Sequence, residues 1–166
     1  MTVLDVRTDP EARTLTLTAG YPAPPADVWQ LWADPRLLER WWGPPAYPAT
    51  FTEHDLRAGG KAAYFMTGPE GDRHFGWWEF TAVEPAAAIE LEDGFATADG
   101  TPDASLPTTV MRMTLEERPE GGTVMTIVST FPSSEALEQM LAMGMAEGMR
   151  EAVGQTDALL EGAATG

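Results

Sequence analysis

The sequence predicts an α+β fold, with helices segregated from one antiparallel sheet. Three observations carry this. Period-two alternation recurs between turn dipeptides at hairpin spacing from residue 50 to residue 131. A proline-bounded segment after the first strand divides into two short helices. From Ser133 to about Leu160 the apolar residues repeat at helical period.

"RTLTLTAGY" is the first strand. Leu15, Leu17, Ala19 and Tyr21 face one way and Thr14, Thr16 and Thr18 the other. In "PPADVWQLWADPRLLERWW", Pro25 and Asp27 suit a helix start, and Pro35 ends that helix and opens a second reaching about Trp41. "GPPAYP" breaks regular structure. "TFTEHDLR" and "KAAYFMT" are strands joined at Gly59-Gly60, with Ala62, Tyr64 and Met66 on one face. "RHFGWWEFTAVE" and "AAAIELEDGF" follow as two more. After a polar loop, "TTVMRMTLEER" turns Met111, Met113 and Leu115 to one face, with Arg112 opposite. "TVMTIVSTF" turns Met125, Ile127, Ser129 and Phe131 inward. One long helix then begins at Ser133 or Ser134, with Glu138 in reach of a capping box. No internal repeat or linker divides the chain, so residues 1–166 are expected to form a single domain.

Composition narrows the function classes. The chain has 166 residues, a formal charge of −16 and a single lysine, Lys61. Nucleic-acid binders neutralise phosphates with Lys and Arg, so nucleic acid is not an expected partner. Anionic membrane surfaces are disfavoured for the same reason, and no apolar run reaches spanning length, so no membrane insertion is expected. Without cysteine there are no disulfides, thiolate metal sites or Cys nucleophiles. No basic-then-apolar leader opens the sequence, which makes a cytoplasmic location the default. Few Lys beside many Ala, Gly, Pro and Arg suggests a bacterial, GC-rich source. A homodimer is the commonest oligomeric default.

The last helix holds an oddity. "LAMGMAEGMREAVGQ" carries Gly144, Gly148 and Gly154, each costing about 1 kcal/mol in a helix relative to Ala. At 100° per residue, Leu137, Leu141, Gly144, Gly148, Ala152, Gln155 and Leu159 share one face, with Met140 on one flank and Met145 and Met149 on the other. Gly154 lies off it. The small stripe admits two readings. It lets a strand approach closely, or it leaves a cavity with an adaptable methionine lining. Opposite it, the sheet offers Tyr64, Met66, Trp78, Phe80, Met111, Met113 and Met125, and the short helices add Trp41 and Trp42. Apolar walls with few polar handles make the usual small-molecule site, although aromatics are mostly core.

Several motifs resemble the START-like, helix-grip superfamily, also called SRPBCC. "PPADVWQLWADPRLLERWWGP", "DLRAGGKAAYFMTGPEG", "DGFATADGTPDASLPTT" and the segment from "STFPSSEALEQM" onward are similar to the family of heat-shock protein 90 ATPase activator homologues, in a bacterial branch. Coverage runs from about Arg13 to Leu160. The resemblance implies a strongly bent sheet gripping the C-terminal helix, with a cavity between. The superfamily includes lipid carriers, hormone and allergen-type binders, polyketide aromatase/cyclases and antibiotic-protection proteins.

Polar candidates are few. His74, near a strand start, is placed at a pocket rim as a ligand contact; Gln155 is the one amide centred on the helix's apolar face. Asp55 and Arg57 read as a turn ion pair or a ligand anchor. Glu79 falls opposite Trp78 and Phe80 by alternation. Asp93, Asp99 and Asp103 are read with the acidic loop, and their spacing does not fit a Ca²⁺ loop, so no metal is expected. No HExxH, GxSxG or phosphate loop occurs, and no cofactor and no catalytic residue is assigned.

The leading expectation is a binder of a small hydrophobic or aromatic molecule, a lipid or polyketide-like metabolite. Its site is Trp41, Trp42, Tyr64, Met66, His74, Trp78, Phe80, Met111, Met113, Met125, Gly144, Met145, Gly148, Met149 and Gln155. A cyclase-like enzyme using His74, Tyr64 or Glu79 is the alternative, and a heat-shock protein 90 co-chaperone-like interaction module is the third reading.

Overall fold

The computed structural model describes the backbone of residues 3–165 and the side chains of residues 5–160. Eight strands among them form one curved antiparallel sheet: β1 (Val3–Asp9), β2 (Thr14–Tyr21), β3 (Ala49–His54), β4 (Lys61–Thr67), β5 (Arg73–Glu84), β6 (Ala88–Ala96), β7 (Thr109–Glu117) and β8 (Thr123–Thr130). Their spatial order is β1-β2-β8-β7-β6-β5-β4-β3. Two short helices, α1 (Pro25–Ala33) and α2 (Pro35–Trp41), bridge β2 to β3. The C-terminal helical layer is α3 (Ser134–Ala142), α4 (Met145–Gly154) and α5 (Thr156–Thr165). This is the helix-grip architecture. No described helix is long and apolar enough to cross a membrane.

Alternation sets which side chains turn inward. One row crosses five strands as Leu15, Ser129, Met111, Leu91 and Phe80. Beside it, Thr109, Asp93, Trp78 and Ala62 form a second row over β7 to β4. A third runs Phe51, Tyr64, Gly76 and Phe95. Register shifts between Phe51 and Glu53 and between Phe80 and Ala82 interrupt the ladders; such irregularities bend a sheet and raise its twist.

The structure adds β1 to the expected strands and divides the expected single C-terminal helix into three. Ser133 caps α3, accepting from the Ala136 N–H at 3.0 Å. That makes Ala136 the third helical residue, so Glu138 is two positions too late for a capping box. The first break follows at Met143 and Gly144, where φ is +85° at Gly144. A side chain there would meet a left-handed backbone that only glycine adopts without penalty. The second break falls at Gln155, whose side-chain amide donates to the Gly43 carbonyl at 2.8 Å and the Trp41 carbonyl at 3.3 Å. Beside it the Thr156 hydroxyl bonds the Tyr21 hydroxyl at 2.8 Å. These contacts anchor the α4–α5 junction to the end of α2 and to β2.

The main core lies under α1, α2 and α5 and contains Leu31, Trp32, Leu38, Trp41, Trp78, Phe80, Met113, Met125, Val153 and Leu159. A smaller cluster of Leu15, Phe131, Ala136 and Leu137 seats α3 on the sheet.

Candidate functional site

Between the two clusters the helical layer stands off the sheet. A cavity of about 300 Å³ remains there, lined from the sheet side by Tyr64, Met66, Asp93, Phe95, Thr109, Met111, Ile127 and Ser129. Trp41, Trp42 and Pro44 close one end. Met140, Met143, Gly144, Met145, Gly148, Met149, Ala152 and Val153 form the helical wall. Met143 is 59% exposed, at the α3–α4 break. A methyl group built on Gly144 or Gly148 would touch nothing within 4 Å. Neither glycine therefore serves a close strand approach; the stripe leaves space.

A larger depression, about 590 Å³, lies on the outer face along β1 and β2. Its walls are Asp5, Arg7, Asp9 and the outward threonines Thr14, Thr16 and Thr18. Its walls are more polar than apolar, and it lies open on the outer face, which suits it poorly to burying an apolar ligand.

Nine of the expected site residues line the cavity: Trp41, Trp42, Tyr64, Met66, Met111, Gly144, Met145, Gly148 and Met149. Six do not. Trp78 and Phe80 are each 1% exposed and lie under the lining, with Trp78 edge-to-face against Trp42 at 4.7 Å between ring centroids. Met113 and Met125 are fully buried core, and the Met125 sulfur accepts from the Trp32 N–H at 3.4 Å. His74 is exposed and pairs with Asp72 at 2.6 Å; it stands opposite the lining residue Met66 on the neighbouring strand but does not itself line the cavity. That hydrogen bond holds the Asp72 carboxyl below its ordinary range. Gln155 spends its amide on backbone carbonyls, because α4 ends there and the helical phase is lost. Asp55 and Arg57 form an exposed ion pair of 2.8 Å. Glu79 is exposed on the outer face. His54 bonds the Trp32 carbonyl at 3.0 Å, and burial lowers its pKa.

The chief correction concerns Asp93, which belongs to β6 rather than the acidic loop and turns into the cavity. Asp99 and Asp103 do sit in the loop, where they accept from Thr101 and Ser105 backbone N–H groups at 3.0 Å each. Among the described residues no group of three His, Asp or Glu is placed to hold a metal.

The Tyr64 hydroxyl donates to Asp93 Oδ1 at 3.0 Å. The reach from β4 to β6 is made possible by Gly76, the residue of β5 between them; a methyl there would overlap the Tyr64 ring. Burial pushes the Asp93 carboxyl up to about 7, against the opposing pull of hydrogen bonding from Tyr64. Burial likewise raises Tyr64 well above its ordinary value. Near this pair, the indole N–H groups of Trp42 and Trp78 and the Ser129 hydroxyl are buried without a hydrogen-bond partner in the protein. Unpaired buried polar atoms are uncommon in a folded chain, and here they cluster at one place.

Comparison with known proteins agrees with this architecture. The family model described as activator of Hsp90 ATPase homolog 1-like protein matches residues 22–161. A crystal structure of a Mycobacterium smegmatis protein is 49% identical, with a TM-score of 0.88 over 95% of this chain and 96% of that one. A solution structure of an Arthrobacter aurescens protein is also 49% identical, with a TM-score of 0.92 over 96% of this chain and 92% of that one. The crystal structure of DynU16, from the dynemicin biosynthetic locus, shares the fold at 19% identity and a TM-score of 0.59, over 85% of this chain and 46% of that one. No curated protein matches the chain. The match over residues 22–161, together with the sheet that grips the C-terminal helices, places the chain in the family of activator of Hsp90 ATPase homolog 1-like proteins, within the START-like superfamily.

Proposed function

We infer that this chain, acting as one domain, binds a small, largely apolar or aromatic molecule between the sheet and the C-terminal helices. One observation carries the reading: Gly144 and Gly148 leave room where a helix–sheet contact would ordinarily be filled. A site of this kind gains affinity by burying apolar ligand surface, at roughly 25 cal/mol per Å² before ordering costs are subtracted. The half-buried methionines Met140, Met145 and Met149 can change rotamer to fit different shapes.

The test fills the space. Gly148→Leu is chosen because Gly148 lies within α4 with open volume beside it, whereas Gly144 needs its left-handed backbone. Binding of the neutral dye Nile red, followed by fluorescence, should weaken at least tenfold in variant that keeps its circular dichroism. Unchanged affinity in folded variant would overturn the reading.

The Tyr64–Asp93 pair supports a second reading, an enzyme of the polyketide cyclase type in the same cavity. A carboxyl with a pKa near the working pH suits general acid–base work. His74 and Glu79 lie outside the cavity, so the pair would act without them. The protein from the dynemicin locus has the same fold, which by itself does not transfer activity. Turnover of a poly-β-ketone that disappears in Tyr64→Phe, with binding retained, would favour this reading.

A further inference from the structure

The cavity's charge lining is one-sided. Among the described residues, Asp93 is the only acidic side chain that lines it, and no Lys, Arg or His does. An anionic headgroup placed there would find no countercharge and would face a carboxylate in a confined apolar space, where charge repulsion is screened far less than in water. The Tyr64 hydroxyl hydrogen-bonds the Asp93 carboxyl at Oδ1. The Trp78 indole and the Gly94 backbone N–H also act on this carboxyl, each favouring its charged form. The neighbours of Asp93 across the ladders are Trp78 on β5 and Thr109 on β7, neither of them ionisable. Among the described residues, Tyr64 is the only titratable group that bears on Asp93 from the elements packed around it.

Resting on the reading of this cavity as a binding site, we propose that it selects ligands presenting a hydroxyl or other hydrogen-bond donor to Asp93 and rejects the carboxylates of the same skeleton. The occupant is then an apolar alcohol or phenol rather than a fatty-acid-like anion. Its hydroxyl donates to Asp93 Oδ2, and its rings lie against Trp42 and the methionines of α3 and α4. The Tyr64 hydroxyl, already committed to Oδ1, holds the carboxyl in orientation.

Three probes of one ring system test this: 2-naphthol, naphthalene and 2-naphthoate, titrated at pH 8 against the full chain. Quenching of tryptophan emission is the readout, since Trp41 and Trp42 line the cavity. The expected order is naphthol tightest, naphthalene weaker, and naphthoate at least tenfold weaker than naphthol. Asp93→Asn keeps an acceptor oxygen and removes the charge, so naphthoate should gain until it lies within threefold of naphthol. Naphthoate binding as well as naphthol in the wild type would overturn the proposal while leaving the apolar site intact. Naphthalene matching naphthol would overturn the donor requirement in the same way. If none of the three binds, the cavity is not an aromatic-ligand site, and both this proposal and the reading beneath it fall.

Discussion

Under α1, α2 and α5 the inner face of the sheet is closed by tryptophan; under α3 and α4 it is covered by methionine and glycine. The two regions share strands and differ in how their polar atoms fare. In the packed region the Trp41 N–H reaches the Leu31 carbonyl at 2.9 Å and the Trp32 N–H reaches the Met125 sulfur at 3.4 Å. The Trp32 and Trp41 rings meet edge-to-face at 4.9 Å. Toward the cavity, the indole N–H groups of Trp42 and Trp78 and the Ser129 hydroxyl have no protein partner. On the proposed binding reading, stability and recognition fall to different ends of one interface. The filled end stabilises the fold; the unfilled end gives up packing and leaves polar atoms unpaired. Real proteins break the rules of packing and polar satisfaction at functional sites, and here both rules are broken together.

The strongest way to break that comparison is Trp78→Ala. Trp78 supports the cavity from beneath while belonging to the main core, at 1% exposure. Removing a buried tryptophan costs about 3–5 kcal/mol. Urea denaturation should show a loss of that size. A loss under about 1 kcal/mol would mean that the core under α1 and α2 is as loose as the cavity, and the distinction would fail.

Asp93 sharpens the comparison through pH. Its folded carboxyl is pushed up to about 7 by burial, above the ordinary carboxylate range. Between about pH 4 and about pH 7 the folded state thus holds a proton that the unfolded chain has released. Stability is greatest at the acid end of this window, falls as pH rises through it, and levels off above about 7. Because Asp93 is partly open to the cavity, the change is discounted for solvent screening to about 1–2 kcal/mol. Asp93→Asn cannot titrate. The stability difference between wild type and variant, measured by urea at pH 5 and pH 8, should therefore shift by that amount in favour of the variant at pH 8. Parallel profiles would show that Asp93 is solvated like a surface group.

Much of this architecture was legible in the sequence, and the misses have physical causes. Alternation placed the inner faces of β2, β4, β7 and β8 because each has one buried side. β1 carries a weaker signal: Asp5, Arg7 and Asp9 alternate as an outer face should, but between them only Val6 is apolar, too little for a hydrophobic period to register. A helical wheel assumes one axis, so the apolar spacing implies one continuous C-terminal helix; Gly144 breaks that axis through its left-handed backbone, which no side-chain pattern reports. Within α4 the phase holds, which is why Gly148 and Ala152 line the cavity as their spacing implied. At Gln155 it fails, since α4 stops there. Asp93 had a usable signal: it is in phase with Ile89, Leu91 and Phe95, a carboxylate on an apolar face of β6. Its meaning depended on Tyr64, and that pairing is set by register across β5 and by Gly76, which no local pattern reports.

The smallest expected effect separates two glycines four residues apart. Gly148 is inside α4 and its missing methyl would meet nothing. Gly148→Ala should therefore gain most of the helix-propensity difference, about 0.8–1.0 kcal/mol, without a steric charge against it. Gly144 also has open space, yet its φ is +85°. Gly144→Ala should lose about 1–2 kcal/mol, because alanine in the left-handed region strains its own backbone. Space is the same at both positions, so the opposite signs isolate conformation from volume. If both variants were stabilised, α3 and α4 would have merged into one continuous helix in solution, and the wall of the cavity would need a different shape. If both were destabilised, the methyl at position 148 would be meeting the sheet, and the small stripe would be a packing contact after all. Thermal melts of the two variants, run beside the wild type, read all three outcomes directly.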